Sequence, residues 1–171
     1  MTTHSAKHLI IGGGIIGCSI AYHLARAGEK DVVLLERDEL TSGSTWHAAA
    51  NLHGLHDNNN ISKLQYYTMK LYKELEAETG QGCGIFQPGS IYLAQTRDRE
   101  HQLRLQAAKA RNYGFDFFEI TRDEAERLHP LVNFDGIRCI MSEPDAGKVD
   151  PSGVTMAFAA GARKRGAEIY R

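Results

Sequence analysis

His8-Leu9-Ile10-Ile11-Gly12-Gly13-Gly14-Ile15-Ile16-Gly17 is the stretch that decides the fold. The four-residue run His8–Ile11, with three apolar residues, makes a short strand, three glycines break it, and an apolar stripe then continues at helical spacing through Ile16, Ile20, Leu24 and Ala27. Gly28 stands where a glycine ends a helix by taking left-handed backbone. Val32-Val33-Leu34-Leu35 follows as an almost continuous apolar run, the pattern expected of a parallel strand covered on both faces. The opening therefore reads as strand, tight turn, helix, strand.

The glycines have a defined spacing, Gly12-x-Gly14-x-x-Gly17, directly after a strand and at the mouth of a helix. Gly12 permits the tight turn, Gly14 allows a pyrophosphate to approach the backbone, and Gly17 allows helix and strand to pack closely. N–H groups at the helix start, Ile15 and Ile16 among them, face the anion. Glu36, nineteen residues after Gly17, ends the second strand and can accept hydrogen bonds from both ribose hydroxyls of an adenosine. A carboxylate there repels a 2′-phosphate, so FAD or NAD is favoured over NADP, with Arg37 next door pulling the other way. A glycine-rich turn that merely joins strand to helix is the bland alternative.

Working outward, Ile61, Leu64, Leu71 and Leu75 predict a long amphipathic helix up to Thr79. A strand over 90–95, a helix over 97–113 ended by Gly114, and a strand over 115–120 follow. Thr121-x-x-Glu124 is a capping box that opens a short helix closed by Pro130, and 137–141 is another strand. Asp150-Pro151 supplies a carboxylate cap and a first-turn proline, and Arg163-Lys164-Arg165 sets cations at the helix end before Gly166. Residues 167–170 begin a further strand of the first sheet, whereas the middle segment suits a separate antiparallel sheet. The expected fold class is α/β, a Rossmann-like βαβ start with part of an antiparallel-sheet domain. We expect an incomplete domain, since a doubly wound sheet usually has five or six strands.

Composition narrows the function classes. The 171 residues are 42% hydrophobic and 24% charged, as in an ordinary soluble domain or the front of a larger one. Lys and Arg number 20 against 21 Asp and Glu, a net charge of −1, so no cationic excess exists for nucleic acid. No apolar run approaches the ~20 residues that cross a bilayer, and the glycines from position 12 interrupt the first one, so neither a membrane span nor a secretory signal is expected. Cys18, Cys83 and Cys139 are odd in number and form no CxxC pair, which argues against a disulfide framework and a structural zinc site and for a reducing, cytoplasmic compartment. His47, His53, His56 and Asp57 match no metal-ligand spacing, and Asn58-Asn59-Asn60 reads as an exposed turn, so no metal is expected. Tyr66, Tyr67 and Tyr72 on the long helix read as core or interface aromatics.

The choice between FAD and NAD turns on Ser42-Gly43-Ser44-Thr45-Trp46-His47-Ala48-Ala49. Here the sequence resembles the D-amino-acid-oxidase-like family of FAD-dependent amine oxidoreductases, within it the dimethylglycine and sarcosine dehydrogenase branch, where a G-S/T-T-W-H-A segment follows the second strand. Val33-Leu34-Leu35-Glu36-Arg37, Glu78-Thr79-Gly80, Gln87-Pro88-Gly89-Ser90-Ile91, Asp150-Pro151 and Ala160-Gly161-Ala162-Arg163 are similar to that branch too, so the resemblance covers nearly the whole chain. It departs at Ala50-Asn51, where the family has Gly-Leu.

The resemblance implies FAD joined covalently through His47 to the 8α carbon of the flavin. Gly43, Ser44, Thr45, Trp46, Ala48, Ala49, Ala50 and Asn51 would line the cofactor around it. From the residues alone, His47 reads as a satisfied polar side chain after a loop rather than a nucleophile, and it is the resemblance that reverses this. The division implied is residues 1–50 and 146–171 for the FAD-binding part and 80–145 for part of a substrate subdomain, all of 1–171 lying in the N-terminal part of the oxidoreductase domain. The expected reaction takes hydride from an N-methyl carbon of a small secondary or tertiary amine to flavin N5, leaving an iminium ion. Tetrahydrofolate would enter only in a full-length protein with a C-terminal domain. No residue in this chain is assigned as the catalytic base, and the electron acceptor is unassigned. The other expectations are a relative with non-covalent FAD, such as a glycine or amino-acid oxidase, and a non-catalytic nucleotide-binding fragment.

Overall fold

The computed structural model describes residues 5–171. In chain order the elements are β1 (His8–Ile11), α1 (Ile15–Arg26), β2 (Val32–Leu35), a 3-10 turn at Thr45–His47, β3 (Asn51–Leu52), α2 (Asn59–Thr79), β4 (Ser90–Ala94), α3 (Arg97–Tyr113), β5 (Phe118–Glu119), α4 (Arg122–Leu128), β6 (Cys139–Glu143), β7 (Gly147–Lys148), α5 (Pro151–Lys164) and β8 (Glu168–Tyr170). Residues up to Ala50, with Lys70–Ile85 and Lys148–Arg171, form one compact unit; Asn51–Met69 and Phe86–Gly147 form the other.

In the first unit β1, β2 and β8 lie side by side in a parallel sheet, with Ile11, Leu35 and Tyr170 in one register row. The helices α1 and α5 pack on each other around Tyr22, whose ring centre is 5.4 Å from that of Phe158. Asp150 caps α5 by accepting the N–H groups of Ser152 and Gly153, and Pro151 occupies the first turn, where it forfeits no helical bond. Gly28 takes φ +90°, the left-handed backbone that ends α1.

Helix α1 does not turn its expected apolar stripe inward. The buried face of α1 is Cys18, Ala21, Tyr22 and Ala25, whereas Ile16 and Ile20 are 74% and 45% exposed. Close helix packing selects small residues: a Cβ on Gly161 of α5 would come within 2.7 Å of the Tyr22 ring, and an isoleucine face leaves no such room. Nor is β2 covered on both faces among the described residues. Val32 and Leu34 are buried, but Leu35 is exposed beside Ile11.

The second unit is built on an antiparallel sheet ordered β4-β6-β5, with all five residues of β6 buried. Leu103, Ala107 and Ala110 of α3 form one core cluster with Ala94, Phe117, Cys139 and Met141; Ala125, Phe134 and Ile140 form another. Thr96 caps α3 and Gly114 ends it at φ +79°, while Thr121 and Glu124 close the capping box of α4 from both sides. The strand expected over 115–120 is reduced to Phe118–Glu119, because Phe115 stacks on Tyr66 at 3.8 Å and Phe117 is drawn into the core. The asparagine run is not a free turn either: Asn58 Oδ1 accepts the Asn60 N–H at 2.9 Å and α2 starts at Asn59.

Candidate functional site

The glycine turn between β1 and α1 has the geometry its spacing implies. Gly12 takes φ +109°, with open space where a Cβ would stand, and its N–H donates to Leu35 O at 2.8 Å. A Cβ on Gly17 would lie 1.9 Å from Gly12 O, so only glycine lets the helix sit against the turn. The first intrahelical bond runs from Cys18 N to Gly14 O at 3.0 Å, which leaves the N–H groups before it without helical acceptors. Ile15, expected among the donors that face the anion, instead gives its N–H to Thr45 Oγ1 at 3.1 Å, so Ile16 and Gly17 are the donors left at the positive end of the helix, an arrangement suited to an anion.

Gly13, absent from the three-glycine fingerprint, is as constrained as its neighbours. A Cβ there would stand 2.4 Å from Leu40 Cδ2 and 3.0 Å from Glu36 Cβ, and its N–H donates to Glu36 Oε2 at 2.6 Å. Glu36 Oε1 accepts the Asp38 N–H at 3.0 Å, and these backbone donors hold the carboxyl below its ordinary range. Each carboxylate oxygen has a second lone pair, so a diol can still be accepted. Arg37 is exposed beside it. Thr41 donates its N–H to Gly13 O at 3.1 Å from a left-handed φ of +75°. Leu40 and Thr41 carried no motif signal and are legible only from the fold.

The histidine segment lies in the same unit. Ser42, Gly43 and Ser44 are exposed, and Thr45–His47 form a 3-10 turn closed by Ala48 N–H to Thr45 O at 3.1 Å. Trp46 is 56% exposed and lies against the imidazole, ring centres 3.8 Å apart, while its indole N–H donates to Ser42 O at 3.2 Å. His47 Nδ1 is 3.2 Å from Gly43 O. A carbonyl only accepts, so Nδ1 is the donor, and the neutral tautomer consistent with this bond has its lone pair on Nε2. Ala48 and Ala49 are exposed, and Ala50 takes φ +51°, a left-handed backbone that favours glycine. Its carbonyl accepts the Val149 N–H at 3.1 Å. Asn51 falls in the other unit as the first residue of β3.

The remaining singled-out residues take structural places. Cys18 is fully buried with Sγ 3.6 Å from Gly13 O, and burial pushes its thiol up to about 11, so it stays neutral. Among the described residues no three His, Cys, Asp or Glu side chains converge as metal ligands. In the second unit, fully buried Glu143 accepts the N–H groups of Gly54 and Leu55 at 2.5 and 3.1 Å and the Tyr92 hydroxyl at 2.6 Å; nothing in the local sequence announces it.

Residues 7–171 match the family model described as FAD dependent oxidoreductase. The chain is 47% identical over 161 residues to "Dimethylglycine dehydrogenase, mitochondrial" of Rattus norvegicus, covering 94% of this chain and 19% of that protein. It is 36% identical to "Sarcosine dehydrogenase, mitochondrial" of Homo sapiens, covering 96% and 18%. Among solved structures, L-proline dehydrogenase from P. horikoshii superposes with a TM-score of 0.90 at 26% identity, over 99% of this chain and 45% of that one. The chain therefore spans about a fifth of the length of the curated relatives it matches.

Proposed function

Because this chain belongs to the FAD-dependent oxidoreductase (DAO) family, we propose that it carries the dinucleotide and flavin-attachment part of an enzyme that oxidises the N-methyl C–N bond of a small secondary or tertiary amine. The glycine turn fits the cofactor: Gly12 leaves space at the backbone, and the first N–H groups of α1 have no helical acceptors. In this reading the Ile16 and Gly17 N–H groups hold the diphosphate and Glu36 accepts the ribose hydroxyls.

The observation that carries the reading is His47. Its Nδ1–H is held by Gly43 O, one ring face is covered by Trp46, and Nε2 has the lone pair that attachment requires. When bound, FAD would supply the electron sink for the amine's hydride, and His47 would be the nucleophile for its attachment, a two-electron oxidation in which an 8α C–H and the imidazole N–H would be given up as protons and dioxygen would take the electrons. Ser44, Trp46, Ala48 and Ala49 would line the flavin beside it. Names of relatives in the dimethylglycine and sarcosine dehydrogenase branch support a small N-methylated amino acid as substrate.

Acid precipitation of the full-length protein with peptide mapping tests this reading. Flavin is expected on the peptide containing His47 and absent from a His47→Ala variant, with dimethylglycine or sarcosine bleaching the flavin absorbance of the wild type. Flavin entirely in the acid supernatant would overturn the linkage, and no bleaching by any N-methylated amine would overturn the reaction.

A further inference from the structure

Within the 42–49 segment, Thr45 alone is buried, at 8% exposure, while its neighbours Trp46 and His47 are exposed. Its hydroxyl turns back to the glycine turn, where Oγ1 accepts the N–H of Ile15 at 3.1 Å. Gly14, the N-cap of α1, has no side chain with which to cap, so the first donor of the helix is satisfied from thirty residues away. The fit is close: a Cβ on Gly14 would stand 3.0 Å from the Thr45 hydroxyl oxygen.

We propose that Thr45 is a positioning residue for His47, pinning the histidine turn to the first turn of α1. Thr45 O also accepts the Ala48 N–H, so one residue both closes the turn and ties it down. Backbone ties hold the loop on either side, Thr41 N–H to Gly13 O before the turn and Val149 N–H to Ala50 O after it, and between them Thr45 is the side chain that joins the histidine turn to α1. The imidazole and the N–H donors of Ile16 and Gly17 then belong to one rigid frame, and a cofactor seated on those donors meets Nε2 at a set place. This inference rests on the covalent reading above and adds which side chain sets the position of the nucleophile.

The test uses full-length apoprotein given FAD, with two readouts: the FAD dissociation constant before attachment, and the rate at which flavin becomes acid-stable. Thr45→Ser keeps the acceptor and is expected to match the wild type in both. Thr45→Val removes it at similar volume and is expected to bind FAD within about threefold of wild type while attaching it about tenfold more slowly, the order of effect of one lost hydrogen bond. Thr45→Ala replaces valine in the comparison if valine unfolds the turn. Attachment at the wild-type rate in Thr45→Val would overturn the proposal, as would FAD affinity falling in step with attachment, which would make Thr45 a ligand. Fully releasable flavin in the wild type would instead overturn the reading beneath it.

Discussion

At the scale of single residues, Glu36 joins acid stability to the shape of the glycine turn. Its carboxylate accepts the Gly13 and Asp38 N–H groups, and those bonds lower its pKa in the folded protein. The unfolded chain returns it to the ordinary value of about 4.3. Its contribution to stability is therefore full above that value and lost as pH falls through the depressed folded value. A Glu36→Gln variant, neutral at every pH, is expected to melt below the wild type at pH 7, with the gap narrowing as both are taken down through the carboxylate range. Melting temperatures from pH 7 to pH 3 by circular dichroism measure it. A gap that does not change with pH would mean that the charge contributes nothing to the turn.

At the scale of elements, the approach of α1 and α5 depends on Gly161. A Cβ there meets Tyr22 Cε2 and Cδ2 at 2.7 and 2.8 Å and Leu75 Cδ1 at 3.3 Å, and Tyr22 is fully buried with its hydroxyl donating to Glu78 at 3.0 Å. The ring has no free direction in which to yield. Gly161→Ala is expected to destabilise by about 1–3 kcal/mol despite alanine's better helix propensity. Urea titration checks it, and an unchanged or raised midpoint would show that the helices move apart without cost. Elements of this kind were legible from sequence where their chemistry is local. The glycine turn, the Asp150-Pro151 start and the Thr121–Glu124 box are each set within a few residues. The buried face of α1 was not, because hydrophobicity marks Ile16 and Ile20 while close packing chose Ala21, Tyr22 and Ala25. The Thr45–Ile15 and Glu143–Gly54 bonds were beyond local reading too, since they join residues 30 and 89 apart in the chain.

At the scale of the whole molecule, the first unit draws on three separate stretches of chain, and its parallel sheet has one packed face and one open face. Ile11 is 83% exposed, with Leu35 and Tyr170 beside it in the same register row and Leu9 two residues before it on β1. Together they make a contiguous apolar patch of the kind that binds hydrophobic dyes or promotes self-association in water. The 171-residue polypeptide is expected to enhance the fluorescence of anilinonaphthalene sulfonate, with Ile11→Lys removing most of the enhancement. Because Ile11 is almost fully solvated, the same substitution should leave stability within about 0.5 kcal/mol. Dye titration, sedimentation velocity and thermal melting of both proteins separate the possibilities. Reduced dye binding at unchanged melting temperature assigns the patch to the open face of the sheet. Unchanged dye binding would place the exposed apolar surface elsewhere, with Leu131, 99% exposed in the other unit, the next residue to replace.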